Sequence, residues 1–223
     1  MTKALTIAIA SHSHVGQASW PVLFVLQIRL TYYERHLPHW QPEDAALFVT
    51  WRLHGSVPRI VTVLKNPSAG KAFVAMDREL DKAATGPRWL SDQRVAQCVA
   101  DTLRYGENQL GLYELCAWVL MINHVHILID PKARLQKITK SIKSFSARQA
   151  NAILQRTGEP FWQEESYDRW VRGPGQMGKI VQYIEQNPVT AGLVERPEDW
   201  RWSSAFVAPE RQAGTTGREA CRT

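Results

Sequence analysis

The sequence predicts an α+β domain in which helices cover a β-sheet. Three apolar runs with strand character are interspersed with three segments whose apolar residues recur at helical spacing. Hydrophobic residues make up 44% of the 223 residues, and nine tryptophans are among them, so the chain can bury a large core. Strands mixed with helices in this way favour a sheet packed against helices.

The predicted strands are rich in aromatic and β-branched residues. Residues 46–53 form the first strand. Residues 113–121 and 124–130 form two more, and the short break at Ile122-Asn123 predicts a hairpin or a tight crossing between them.

Two of the predicted helices have recognisable ends. Residues 92–105 carry apolar side chains at four-residue spacing, and Ser91 is the expected N-cap. Residues 176–187 form another helix, which is predicted to end at Asn187 because Pro188 disfavours helical geometry in the residue before it.

The third predicted helix, residues 134–155, is basic. Its inner side is expected to carry Ile138, Ile142, Phe145 and Ile153. The positive side chains along and beside it are Lys132, Arg134, Lys137, Lys140, Lys143 and Arg148, and no acidic residue lies between Lys132 and Glu159. With a net charge of +6 and a pI near 9.4, this segment predicts contact with the phosphate backbone of a nucleic acid, although a solvated helix face remains the alternative.

The folded domain is predicted to span residues 32–206. Residues 1–31 are expected to be an appendage with only a weak likeness to a signal peptide, and residues 207–223 a disordered tail. The three cysteines form no C-x-x-C pair, which excludes a zinc ribbon and favours thiols in a reducing cytoplasm. No apolar run approaches the ~18 residues that a membrane helix needs, so no membrane partner is expected.

His124-Val125-His126 lies inside an apolar predicted strand. Side chains alternate along a strand, so both imidazoles point to one face and could share a divalent metal ion. Two histidines on a solvated sheet face are the alternative. His12-Ser13-His14 has the same spacing with polar neighbours and is interpreted as surface, so the spacing alone is a weak signal.

Lys179, Tyr183 and Asn187 recur every four residues and form a stripe beside the apolar face of their helix. The Tyr183 hydroxyl could act as a nucleophile if a metal ion and Lys179 favour its phenolate, and Asn187 could be a third metal ligand. An ordinary boundary tyrosine is the alternative. Tyr167 is the competing candidate, but the carboxylates around it favour a structural or substrate-positioning role.

Trp162 and Trp170, with Arg169 and Arg172 nearby, could stack on unpaired bases or could belong to the core. These residues, the histidine pair and the tyrosine helix together resemble the REP-associated tyrosine transposases, relatives of the single-tyrosine transposases of small insertion sequences. The resemblance covers residues 33–206, in blocks at 33–40, 48–53, 123–128, 140–145, 161–163, 167–172, 180–189, 191–194 and 198–204.

This resemblance implies a ferredoxin-like antiparallel sheet, and Mg²⁺ or Mn²⁺ bound by His124 and His126 with Asn187 as third ligand. It implies that Tyr183 attacks a DNA phosphate, leaving a 5′-phosphotyrosine and a free 3′-OH. The implied partner is single-stranded hairpin DNA from repetitive extragenic palindromes, held by a monomer or a homodimer. The candidate DNA-binding residues are Arg134, Lys137, Lys140, Lys143, Arg148, Arg169, Arg172 and Lys179.

One departure from the family lies before the tyrosine helix, where Gly173-Pro174-Gly175 replaces an acidic helix start. Two other functions stay open on the sequence alone. One is a hairpin-binding regulator that no longer cuts DNA, and the other is a metal-dependent hydrolase of a small phosphodiester.

Overall fold

The computed structural model of the protein describes residues 45–56, 69–171 and 173–208. The predicted appendage at 1–31, the predicted start of the domain at 32–44, Arg172 and the tail from residue 209 onwards lie outside the described residues.

Four antiparallel strands form one sheet. They are β1 (Leu47–Arg52), β2 (Tyr113–Leu120), β3 (His124–Pro131) and β4 (Tyr167–Trp170), and their order across the sheet is β2-β3-β1-β4. This order is that of the ferredoxin-like fold, so the predicted fold class is confirmed. The hairpin expected at Ile122-Asn123 joins β2 to β3, whereas β4, which is short and partly polar, was not predicted from the sequence.

Four α-helices cover the two faces of the sheet. They are α1 (Ala69–Lys82), α2 (Gln93–Asn108), α3 (Leu135–Ile153) and α4 (Pro174–Thr190). On one face, α2 and α3 pack on side chains such as Val49, Val125 and Ile127. On the other face, α1 and α4 pack on Phe48 and Leu128. The sheet is therefore covered on both faces, which is why the two central strands are buried along nearly their whole length.

Register places the histidines on the face of α1 and α4. In β3, His124 and His126 share the face of Leu128, while Val125 and Ile127 point into the core under α2 and α3. Across the ladder, Thr50 of β1 is opposite His126. The alternation expected for the His-x-His pair is present.

Three local predictions are wrong. The N-cap of α2 is Asp92, whose carboxylate accepts from the backbone N–H of Arg94, because Ser91 belongs to the preceding 3₁₀ turn. Phe145 is 44% exposed, since the buried stripe of α3 runs through Ile138, Ile142 and Ser146, and Phe145 lies beside that stripe.

Helix α4 does not end at Asn187 but continues through Pro188 to Thr190. Pro188 removes one backbone donor from the last helical turn, but the helix still closes beyond it. The carbonyls of Asn187 and Pro188 accept from the N–H groups of Ala191 and Leu193. Because the helix continues, Asn187 is held in a full helical turn and is 3% exposed.

One cysteine and the apolar character of the helices bear on two further predictions. Cys98 is a free thiol, as predicted, and Cys221 lies outside the described residues. In the described part of the chain, no helix has the length and apolar character required to cross a bilayer.

Candidate active site

The two histidines face each other in the interior of the protein. Both are fully buried, and their Nε2 atoms are 3.0 Å apart. Two imidazole nitrogens at this separation stabilise each other only when they share a proton or a cation. Which of the two applies depends on the protonation state of each ring.

Asn123 determines the tautomer of His124. The amide nitrogen of Asn123 donates to the carbonyl oxygen of Leu80 at 2.9 Å, so its other end must be the oxygen, and that oxygen lies 2.7 Å from Nδ1 of His124. An amide oxygen only accepts, so Nδ1 of His124 carries the hydrogen. In the neutral ring, Nε2 of His124 therefore presents a lone pair to the site.

The tautomer of His126 is also determined by its hydrogen-bond partners. Its Nδ1 is 2.7 Å from the hydroxyl oxygen of Thr50, and the amide nitrogen of Asn187 lies 3.3 Å from its Nε2. Since an amide NH₂ only donates, Nε2 of His126 is an acceptor and Nδ1 donates to Thr50. Both Nε2 lone pairs consequently point into the same small volume.

Helix α1 adds two carboxylates that were not predicted from the sequence. Oδ1 of Asp77 is 3.3 Å from Nε2 of His126 and 3.8 Å from Nε2 of His124. Oδ1 of Asp81, one turn along the helix, is 3.7 Å from Nε2 of His124. The available signal was the apolar stripe of Phe73, Met76 and Leu80, which predicts an amphipathic helix whose buried face also carries both aspartates.

Three oxygen atoms at this site are buried and have no hydrogen-bond partner among the described residues: Oδ1 of Asp77, Oδ1 of Asp81 and Oδ1 of Asn187. An unpartnered buried oxygen is costly, and such atoms are rare in folded proteins. Two ligands held at right angles about 2.1 Å from one divalent ion lie about 3 Å apart, close to the shorter separations seen here. Asp77, His124 and His126 form a triad that could bind a metal ion.

The electrostatics of the site agree with that composition. Burial, reinforced by the charge of Asp81, raises the pKa of Asp77 to about 8 against the lowering effect of a hydrogen bond from Asn187. Burial also raises the pKa of Asp81 to about 6 and lowers the pKa of His124 to about 3. For His126, burial and then the charge of His124 lower the pKa well below its usual range. Neutral imidazoles are the form that binds a cation, and a cation bound beside them would favour the charged forms of Asp77 and Asp81 and so lower their raised pKa values.

Tyr183 reaches this triad from α4. Its hydroxyl donates to Oδ2 of Asp77, the oxygen on the other side of the carboxylate from the histidines. Its ring packs edge-on against Phe48 and lies 5.7 Å from the ring of His126. The side chain is still 36% exposed, so it can be reached from outside while its hydroxyl lies inside the site.

The structure thus brings together four of the predicted site residues, which are His124, His126, Tyr183 and Asn187. Lys179 is exposed on α4, one turn before Tyr183. The competing Tyr167 stacks on Phe73 with ring centroids 4.2 Å apart, an arrangement that packs β4 against α1.

The predicted DNA-binding residues on α3 are not beside the histidines. Arg134, Lys137, Lys140 and Arg148 are exposed on α3 or its N-cap, and α3 packs on the opposite face of the sheet. Lys143 differs from them, since its Nζ donates to the carbonyls of Gln163 and Glu164 at 2.7 Å each and holds the segment before β4.

The remaining candidates for DNA binding are two arginines and two tryptophans. Arg169 is exposed on β4, and Arg172 lies outside the described residues. The two tryptophans that could have stacked on bases pack in the core or against it. Trp162 is 8% exposed and donates to the hydroxyl of Ser146, and Trp170 packs against the same core.

Comparison with known proteins finds similarity to transposases. The family model described as "Transposase IS200 like" matches residues 88–187. Among solved structures, the chain is similar to a REP-associated tyrosine transposase bound to a REP hairpin, with 17% identity, 75% of this chain and 81% of that chain covered, and a TM-score of 0.49.

A second similar structure is a putative transposase from Deinococcus radiodurans, with 20% identity, 64% of this chain and 89% of that chain covered, and a TM-score of 0.37. No curated protein is similar enough in sequence to count as a match. The matched stretch begins just before α2 and ends at Asn187, and it includes both histidines and Tyr183. Residues 88–187 of this chain are similar to the IS200-like transposase family.

Proposed function

We propose that the protein cuts and rejoins single-stranded hairpin DNA, with Tyr183 as the nucleophile and a divalent cation at the histidine pair. The observation that carries the proposal is the placement of one carboxylate. Asp77 accepts the hydrogen bond of the Tyr183 hydroxyl with Oδ2 and presents Oδ1 to both histidines. The nucleophile and a cation site are therefore in direct contact.

The residues that would hold the cation are His124, His126 and Asp77, with Oδ1 of Asn187 as a further oxygen donor. The carboxylate and amide oxygens suit Mn²⁺ or Mg²⁺, which are the two ions expected from the family resemblance. When bound, the cation would polarise a DNA phosphate and stabilise charge on the departing oxygen.

Tyr183 supplies the covalent step. Its phenolic oxygen forms a bond to phosphorus, the bond from phosphorus to the 3′ oxygen breaks, the phenol gives up its proton and the 3′ oxygen takes one up. One phosphodiester becomes a 5′-phosphotyrosine and a free 3′-OH, so the energy of the bond is conserved for rejoining. Water is not consumed until the linkage is hydrolysed.

The exposed positive side chains support the proposal that the partner is DNA. The exposed side chains of Arg134, Lys137, Lys140 and Arg148 give α3 a positive surface on one face of the domain, and Lys179 and Arg169 are exposed on α4 and β4. A hairpin held by both groups would contact both sides of the sheet, which requires a substrate longer than a single nucleotide. A small phosphodiester would not need the α3 surface. We further propose that the protein acts in the cytoplasm as a monomer or a homodimer.

The test is a cleavage assay on labelled single-stranded hairpin DNA from the repeats of the host, with Mn²⁺ or with EDTA, resolved on a denaturing gel. Wild type is compared with Tyr183→Phe and with Tyr167→Phe as the matched control. We expect metal-dependent cutting and a covalent protein–DNA band that only Tyr183→Phe abolishes. Tight hairpin binding with no cutting under any metal condition would instead favour a regulator that does not cleave.

A further inference from the structure

We propose that Tyr183 and the cation site form one hydrogen-bonded unit through Asp77, so that Asp77 is a positioning residue for the nucleophile as well as a ligand of the cation. The inference rests on the proposed function, because it concerns how that function's nucleophile is held. It makes a separate claim: the tyrosine contributes to cation binding before any DNA is present.

The two oxygens of Asp77 have different surroundings. Oδ2 accepts from the hydroxyl of Tyr183, whereas Oδ1 faces the Nε2 atoms of the histidines and has no hydrogen-bond partner among the described residues. The residue is 2% exposed, so solvent cannot satisfy Oδ1. A carboxylate in this position can bind a cation with one oxygen while the other keeps its hydrogen bond to the phenol.

Asp81 provides the internal comparison. It lies one turn further along α1, and its Oδ1 is 3.7 Å from Nε2 of His124 and is also buried without a hydrogen-bond partner among the described residues. The hydrogen bond from the Tyr183 hydroxyl goes to Asp77. The two aspartates therefore lie on the same helix and close to the same histidine, but the hydrogen bond from Tyr183 goes to Asp77.

Aromatic packing keeps the Tyr183 ring in place. The ring lies edge-on to Phe48 with centroids 6.1 Å apart, and Phe48 in turn stacks on His126 at 5.7 Å. A shift of Asp77 or of His126 would therefore disturb the tyrosine through contacts that the structure shows. Asp77 holds the hydroxyl of Tyr183, and Phe48, which stacks on His126, holds its ring.

Hydrogen-bond partners outside the ligand shell strengthen a metal site, and removing one typically weakens metal affinity about 10- to 100-fold. If the Tyr183 hydroxyl is such a partner of Asp77, then Tyr183→Phe must weaken cation binding in protein without DNA. The loss must also depend on Asp77, because the hydroxyl acts through that carboxylate. A tyrosine that is only a nucleophile has no such effect.

The experiment is a double-mutant cycle on Mn²⁺ affinity, measured by calorimetry with DNA-free protein. We expect Tyr183→Phe to weaken Mn²⁺ binding about tenfold in the wild-type background. In an Asp77→Ala background we expect the same change to have less than about a twofold effect, and in an Asp81→Asn background to keep its full effect. Tyr167→Phe serves as the control for loss of a phenol elsewhere.

Asp77→Asn keeps the side-chain volume in case Asp77→Ala does not fold. We expect it also to abolish the effect of Tyr183→Phe, because an amide carries no charge for the hydroxyl to stabilise. Mn²⁺ affinity that does not change with Tyr183→Phe, or that falls equally with and without Asp77, would overturn the inference.

Cleavage separates this inference from the proposed function. With wild type active, Asp77→Ala should slow formation of the covalent adduct roughly 100-fold, the scale expected when a reacting group is misplaced, while hairpin affinity stays the same. A wild-type protein that cuts no DNA would refute the proposed function and leave the Mn²⁺ cycle to decide the coupling. If the wild type is active but the effect of Tyr183→Phe on Mn²⁺ affinity does not depend on Asp77, only the coupling is refuted.

Discussion

The side-chain oxygen of Asn123 accepts a hydrogen bond from Nδ1 of His124 across 2.7 Å. The amide nitrogen of the same residue is bound to the carbonyl of Leu80, so the hairpin between β2 and β3 is tied to α1, the helix that carries Asp77 and Asp81. One buried amide thereby sets the tautomer of a histidine and the distance between that histidine and the carboxylates.

We therefore expect Asn123→Ala to weaken Mn²⁺ binding about 10- to 100-fold, because His124 loses the partner that directs its Nε2 lone pair to the site. Asn151→Ala is the matched control, since Asn151 is also buried and its amide also donates to a backbone carbonyl, that of Glu159. Both variants should lose stability, and only the first should lose metal affinity. Equal Mn²⁺ titrations for the two would show that Asn123 is only structural.

Metal binding should raise the stability of the protein. A cation that binds the folded state alone, at a concentration 100 times its Kd, adds about 2.7 kcal/mol to the free energy of unfolding. We expect Mn²⁺ to shift the urea midpoint accordingly, and EDTA to reverse the shift. His126→Ala should abolish the effect and His54→Ala, on an exposed turn, should keep it. Stabilisation that survives His126→Ala would place the ion elsewhere.

The exposed cations of α3 should set the salt dependence of DNA binding. Replacing Lys137, Lys140 and Arg148 by alanine should reduce the slope of log affinity against log salt by about 2, at about 0.7 per phosphate contact on a single strand. The control replaces three exposed arginines, Arg94, Arg196 and Arg201, and so changes the net charge equally. Equal reductions of the slope in both triple variants would mean that DNA binding depends on the net charge of the protein and not on the α3 surface.

Lys143 should behave differently from its neighbours on α3. Its ammonium group donates to two backbone carbonyls, so Lys143→Met should lower the free energy of unfolding by about 1–3 kcal/mol, the cost of leaving such groups unpaired. Hairpin affinity should change less than in the triple variant. Urea unfolding and a binding titration on the same preparations measure both effects.

The stability contributed by Lys143 should also depend on pH. Burial lowers its pKa to about 8, partly offset by the charges of Glu165 and Glu164. The folded protein then gives up this proton at a lower pH than the unfolded chain, which binds more protons between pH 8 and the ordinary lysine pKa of about 10.4. Wild type should therefore gain stability relative to Lys143→Met as pH rises through that interval. A constant difference in urea midpoint across it would contradict the lowered pKa.

The sequence predicted the strand pair, the histidine pair and the stripe of Tyr183 and Asn187 because each depends on local periodicity. His124 and His126 alternate with apolar residues in one strand, and the tyrosine and asparagine recur within one helix. Patterns of this kind are visible in a single segment.

The aspartates and Asn123 could not be found in that way. Asp77 and Asp81 belong to a helix whose apolar stripe was overlooked, and the stripe alone would not show their relevance, which depends on the packing of α1 against a strand far along the chain. The role of Asn123 depends on the carbonyl of Leu80, which no sequence pattern indicates. Phe145 and Pro188 were misjudged because helical spacing does not say where tertiary packing or a helix end overrides it.

The proposed cation site takes groups from α1, from β3 and from α4, which are well separated along the chain. The site therefore has no precursor in any short stretch of polypeptide, and a chain emerging from the ribosome lacks it until α4 has been made and has docked on the sheet. Strand cutting would then be limited to molecules that have completed folding, so that newly made or damaged chains carry neither a positioned nucleophile nor its metal.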